Sequence, residues 1–366
     1  MWSYSHYLFN YDYDFVKRGL LGTLISSSRI LQYYDAFYYL SLVLLIINAV
    51  LIYRLVTAML RSSSFTFSVV AFLFATSQSL VYLAHLIGYA DQIGLLLVMI
   101  SLSIKNFNWQ IALITPLFGL ALFVHEGLFI LFYPVILFST ILRLEIVTKK
   151  HAAMILLQML LLLVLTGLMA NATLPIPAVE QMKASLQTIT PYHLRDEAFE
   201  VLSTSSIENL KMMAELWTQR GDVYPSMISS LILTVPLIII FMILTFRILG
   251  QAKLGEYIKI LAVFGALSPL LMHLVGWDRV RWNNMAVFTS FITLYIVFDK
   301  FGTRRVRDFL SYEIAIICGV CFLNVSASAA LMDERKADGF PFKEKIRYIS
   351  EVFKGTREFP EVTDKY

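Results

Sequence analysis

The sequence predicts an all-α membrane protein, a polytopic helical bundle of about ten transmembrane helices with one long extracytoplasmic loop. Composition is the first ground: of 366 residues, 58% are hydrophobic and 15% charged. A soluble domain is nearer half apolar and about a quarter charged, so no single soluble core could bury the excess. The second ground is the recurrence of apolar runs long enough for a hydrocarbon core of about 30 Å. The third is that Lys and Arg concentrate in alternate short connections, the asymmetry that orients helices in a bilayer. These observations exclude the soluble-enzyme, fibrous and disordered classes, and they account for the formal charge of +4 without a nucleic-acid partner.

In chain order, residues 1–37 form an extracytoplasmic or interfacial N-terminal segment. Within it, FVKRGLLGTLISSSRIL at 15–31 mixes apolar residues with Lys17, Arg18 and Arg29, as an interfacial helix does. A first bundle, 38–170, contains spans at 38–60, 65–84, 89–104, 108–125, 127–142 and 152–170. The loop 171–225 follows, punctuated by Pro175, Pro177, Pro191 and Pro225 around a helical stretch near 194–219. A second bundle, 226–331, has spans at 226–248, 257–275, 283–299 and 309–331, and 332–366 form an extracytoplasmic tail. The basic turns (Arg54 and Arg61; Lys105; Arg143, Lys149 and Lys150; Arg247, Lys253 and Lys259; Lys300 to Arg307) belong inside, which puts both termini and the acidic long loop outside. Residues 1–14 lack the basic and apolar regions of a signal peptide, so an outside start calls for translocation of the tail or a further helix upstream.

Unusual polar residues fall on the outside turns: Asp12, Asp14, Lys17 and Arg18; His85, Tyr89 and Asp91; His125 and Glu126; His193 and Arg195; and Trp277, Asp278, Arg279, Arg281 and Trp282. Ionisable groups at a membrane boundary are costly unless partnered or hydrated, so this one-sided clustering points to a water-filled extracytoplasmic site. In GWDRVRW at 276–282, two guanidiniums two residues apart match phosphate oxygens. The competing reading is an interfacial turn with Asp278 paired to one Arg and both Trp in the aromatic belt. In FNYDYDFVKRGLLG at 9–22, a carboxylate could take a proton from an acceptor hydroxyl while Lys17 and Arg18 hold a phosphate; the alternative is a solvated amphipathic terminus. Asp91 stands where a helix-capping acid would also stand. His125 and Glu126 interrupt more than thirty largely apolar residues, and the absence of a second His rules out a HExxH zinc site.

The remaining motifs are bland. Cys318 and Cys321 lie inside the last apolar run, where packing explains them. The sequons at Asn171 and Asn324 matter only in a eukaryotic secretory pathway. No Gly-rich phosphate loop is present for a cytoplasmic nucleotide substrate.

Over roughly residues 1–300, this arrangement resembles the polytopic glycosyltransferases of the GT-C class, which take sugars from polyprenyl-phosphate carriers on the extracytoplasmic face. That resemblance implies a catalytic acid at Asp12 or Asp14 and a second acid at Asp91. The same features are similar to O-antigen or capsule repeat-unit polymerases, for which Arg195, Arg279 and Arg281 are the matching arginines. The expectation is therefore an enzyme of surface-polysaccharide assembly in a bacterial inner membrane. Its partners would be the lipid bilayer, a polyprenyl-linked saccharide and other assembly proteins. No cofactor is required by these motifs, and participation of a divalent cation stays open. In the expected mechanism Arg279 and Arg281, with Lys17 or Arg18, stabilise the departing phosphate. Asp14 is the first choice of base, with Asp91 or Glu126 in reserve, and His125 orients a carboxylate or the acceptor. A transporter or flippase would need polar residues through the inner halves of the helices, where Asn48, Ser68 and Ser101 are the main ones. A non-enzymatic scaffold is the third reading.

Overall fold

The computed structural model describes residues 2–25, 34–62, 64–86, 88–144, 146–190, 194–219, 223–276, 278–302 and 311–326, which are helical without strands. Two short helices, α1 (Trp2–Leu8) and α2 (Leu20–Ile25), precede the long α3 (Tyr34–Leu60). α4 (Phe65–Ala75) and α5 (Gln78–His85) form one run bent by 43°. Thr76 and Ser77 explain the bend: the Thr76 hydroxyl bonds back to Phe72 O at 3.0 Å and Ser77 is extended, so the helix ends and restarts. α6 (Asp91–Ser103), α7 (Phe107–Val124), α8 (Leu128–Arg143) and α9 (Lys149–Asn171) follow. The Asn106 side chain caps α7 and Thr148 caps α9, so α7 starts just after Lys105 and α9 carries Lys149 and Lys150 in its first turn. Three helices, α10 (Ile176–Ile189), α11 (Asp196–Glu200) and α12 (Ser206–Gln219), build the long loop. α13 (Val223–Gln251), α14 (Glu256–Leu267) with its 3-10 extension Ser268–Leu274, α15 (Arg279–Phe301) and α16 (Ser311–Ser326) complete the described residues.

Six helices are long and apolar enough to cross a membrane, or seven if the bent pair is one span. The three other apolar runs lie on the shorter α6, α8 and α16. At 1.5 Å per residue, α6 is about 20 Å long and α8 about 24 Å, less than a hydrocarbon core. The 89–104 run includes flanking residues that fold as turns, so there the apolar length exceeds the helical length, whereas α8 is as long as its 127–142 run.

α15 is the axis of the bundle, buried along nearly its whole length by α13, α14 and α8. It can carry Asn283, Asn284, Thr289, Ser290 and Thr293 because neighbouring helices rather than lipid surround them. α6 approaches α8 through Gly94, where an added Cβ would lie 2.3 Å from a Phe132 ring carbon.

A second apolar cluster joins two regions that the sequence separated. Tyr4, Phe9, Val16 and Phe37 pack with Leu174, Met182, Leu186, Phe199 and Leu202, so the N-terminal segment and the long loop form one cap over one end of the bundle. Lys17 N–H bonds to Ala172 O at 3.2 Å, and Leu174 N–H to Leu202 O at 2.8 Å. The interfacial helix expected at 15–31 is reduced to α2 among the described residues. Val16, Lys17 and Arg18 are buried, since they tie the cap to the bundle rather than lie along a lipid surface.

Candidate functional site

Beneath the cap, the first turns of α6 and α15 bring together Asp91 and Arg281, residues far apart in sequence. Arg281 Nε donates to Asp91 Oδ2 at 2.7 Å, while its Nη1 lies 3.1 Å from Asp278 Oδ2. Tyr89 and Trp282 flank the guanidinium, their ring centroids 4.6 and 4.5 Å from Cζ. Asp91 is fully buried and Arg281 nearly so. This pair is also deep. Asn48, near the middle of α3 and about 20 Å along its axis from Tyr34, donates to Gln92 O at 2.8 Å and Gln92 Oε1 at 2.9 Å. Asn48, which the sequence placed in the inner half, thus stands beside the start of α6, because α6 begins well down the bundle.

A second pair lies nearer the cap. Arg18 grips Glu126 through two bonds, Nε to Oε2 at 3.1 Å and Nη2 to Oε1 at 2.6 Å. Arg18 adopts φ +64°, a left-handed conformation that is costly for a residue with a Cβ, and the fork-shaped contact holds it there. Glu126 retains 16% side-chain exposure, in contrast to Asp91. Burial alone would raise the Glu126 pKa; Arg18 and then its other neighbours outweigh burial and hold the carboxyl below its ordinary range. His125 Nδ1 accepts from Gly127 N–H at 3.1 Å, which orients the ring. Burial, reinforced by Arg18, pushes its imidazole down to about 3, so it is neutral at pH 7. Lys17 is buried with its ammonium donating to Thr204 O, and burial pushes it down to about 8 against the pull of Glu126. The two pairs share one electrostatic neighbourhood, since Arg281 acts on His125.

Arg279, the residue after Asp278, is buried, its guanidinium 5.5 Å from the Trp217 ring centroid. Trp217 Nε1 donates to His273 O at 3.3 Å, His273 Nε2 lies 2.9 Å from Asn283 Oδ1, and Asn283 Nδ2 donates to Ser230 Oγ at 3.1 Å. This chain ties α12 of the cap to α13 and α15.

The structure therefore gathers Asp91, His125, Glu126, Lys17, Arg18, Asp278, Arg279, Arg281 and Trp282 at one end of the bundle. It does not bring in the carboxylates of Asp12 and Asp14, which are exposed; Asp14 Oδ1 instead accepts from its neighbour Phe15 N–H at 2.6 Å. Arg195 is exposed at the start of α11, and no contact joins it to the buried pairs among the described residues. Trp277, His193 and the side chain of His85 lie outside the described residues. Sequence reasoning missed His6, Tyr7, Thr204 and Trp217. His6 is held neutral by burial and then by Arg18 and His125, which places it in the same field. Its lone occurrence in an aromatic stretch was the available signal; nothing local marks Thr204, which acts through its carbonyl.

Four cations (Lys17, Arg18, Arg279, Arg281) face three carboxylates (Asp91, Glu126, Asp278) with His125 neutral, which leaves an excess of positive charge suited to an anionic group. Among the described residues no three His, Cys, Asp or Glu side chains form a metal-binding group. No protein-family model, curated protein or solved structure matches the chain.

Proposed function

We propose that the ion-paired end is the active site of a membrane glycosyltransferase that moves a sugar from a polyprenyl-(pyro)phosphate carrier to an acceptor hydroxyl outside a bacterial cytoplasmic membrane. Ten spans, with the cap outside, belong to the same reading. One observation carries it: buried ionisable groups from the N-terminal segment, α6, the α7–α8 turn and α15 converge under the cap with cations in excess. Ionisable groups at such depth are expensive and ordinarily kept for function.

In the proposed reaction the acceptor oxygen attacks the anomeric carbon, the bond from that carbon to the phosphate oxygen breaks, and its electron pair leaves with the phosphate. Glu126 is the preferred base because its side chain is partly accessible, in contrast to Asp91, and it receives the acceptor proton as its contact with Arg18 loosens. Arg279 and Lys17 face the departing phosphate, where fixed charge is most effective. Arg18 and Asp91 act as positioning residues, holding Glu126 and Arg281 respectively. The polymerase reading fits less well, since Arg195 stays apart from Arg279 and Arg281.

Deleting the protein from its host should leave unextended lipid-linked saccharide in the membrane. Re-expression should restore both the glycan and release of the carrier phosphate. Unchanged lipid-linked saccharide after deletion would remove the proposal. In intact cells, a membrane-impermeant thiol reagent should label a Cys placed at 200 and not one at 105; the reverse would invert the topology.

A further inference from the structure

At the opposite end of the bundle, an open cavity of about 330 Å³ lies between the ends of α6, α8 and α15, lined by Lys105, Arg143, Tyr295, Asp299 and Lys300 with aliphatic side chains between them. Arg54 on α3 is within electrostatic reach of Tyr295 as well. Three cations thus line the cavity with one acid, and Arg54 adds to the positive field around it. Part of their work is local. Arg143 Nη1 donates to Ser101 O at 3.1 Å and Ile104 O at 2.6 Å and its Nη2 to Leu102 O, closing the end of α6, while Lys300 closes α8 by donating to Leu142 O. Carbonyl partners carry partial dipoles and no net charge, so these bonds leave the cavity positive. They also spend three of the five N–H donors of a guanidinium, leaving Nε–H and one Nη2 hydrogen for a further acceptor. Trp109, 63% exposed in the first turn of α7, follows Lys105 closely, the placement expected of an aromatic residue at a membrane–water boundary.

We propose that this cavity binds a phosphate-bearing group, and that its occupant is the headgroup of an anionic phospholipid. Basic pockets between helices at a membrane surface take such headgroups, and the volume matches the small end of ligand sites. The proposal is independent of glycosyl transfer.

Native mass spectrometry of the detergent-purified chain, titrated with phosphatidylglycerol or phosphatidylcholine, tests it. The wild type should retain phosphatidylglycerol in clear preference. Lys105→Ala should reduce that preference about fivefold, the effect of one basic residue near a membrane surface, and Lys105→Glu should reduce it further. Lys105 is exposed and outside every helix, so these variants leave the helix ends intact. Lys183→Ala, in the cap, should change nothing. If millimolar inorganic phosphate displaces the lipid, the same site chemistry serves a soluble phosphate ester. Equal retention of both lipids by the wild type, or a preference unaffected by both Lys105→Glu and Lys300→Met, would overturn the proposal.

Discussion

The two ends of the bundle handle buried or half-buried cations differently. Under the cap, Arg18 and Arg281 are matched to carboxylates; at the other end, Arg143 and Lys300 are matched to main-chain carbonyls. A carbonyl partner finishes a helix and costs no acid. A buried carboxylate partner requires two charges to be desolvated, an expense seldom repaid in stability. The difference teaches that the Arg143 and Lys300 contacts are explained by helix termination, whatever else the basic cavity binds, whereas the buried ion pairs close no helix end and call for a function.

The largest effect should come from breaking the deep pair. Arg281→Ala strands Asp91 without a partner and should cost about 3–5 kcal/mol of stability, whereas Arg143→Ala exposes unpaired carbonyls and should cost about 1–3 kcal/mol. Thermal unfolding of both variants in the same detergent makes the comparison, and equal losses would break it. The next effect concerns turnover: Arg279→Ala should lower it on the order of 100-fold at equal amounts of folded protein, as loss of a charge-stabilising donor does. A matching loss from Lys300→Met would show that the two ends are not functionally distinct.

Lys17 sharpens the contrast through pH. Its folded pKa, about 8, lies below its ordinary value of 10.5. Keeping Lys17 charged in the folded state therefore costs stability below about pH 8, and that cost is relieved as pH rises from 8 towards 10.5. Phosphate binding by the ammonium runs the other way, so turnover should fall as pH rises through about 8 while this contribution to stability grows. Lys17→Arg should abolish the falling limb; an unchanged pH profile would separate Lys17 from the reaction. The smallest effect should be that of Asp14→Asn, within about 0.5 kcal/mol in stability and close to wild type in turnover. A large loss of turnover there would return the base to the N-terminal segment.

Much of the fold was legible because hydropathy and basic turns report on the solvent that each segment suits, and six helices here are long and apolar enough to cross a membrane. α3, α7, α9 and α13 to α15 were visible in this way, and so was the one-sided placement of Asp91, Glu126, Arg279 and Arg281. Helix lengths were less legible. The 89–104 run includes turn residues on either side of α6 and leaves that helix short, whereas α8 keeps the 16 residues of its 127–142 run, shifted by one. Pairing was illegible altogether. Nothing in KRG at 17–19 or HEG at 125–127 says that Arg18 will meet Glu126, because the cap's own apolar core, formed between the N-terminal segment and residues 174–202 of the long loop, sets that meeting. Asp14 was preferred for its closeness in sequence to Lys17 and Arg18, yet the chain turns between them, burying the cations and leaving the acid outside.

Glu126→Gln tests the central account most directly, since it keeps an acceptor for Arg18 while removing the base. The measurement is the amount of unextended lipid-linked saccharide in cells that carry this variant at wild-type protein level. The account predicts that precursor accumulates and glycan falls on the order of 100-fold, the contribution of a positioned general base. Wild-type glycan output with no accumulated precursor would contradict it.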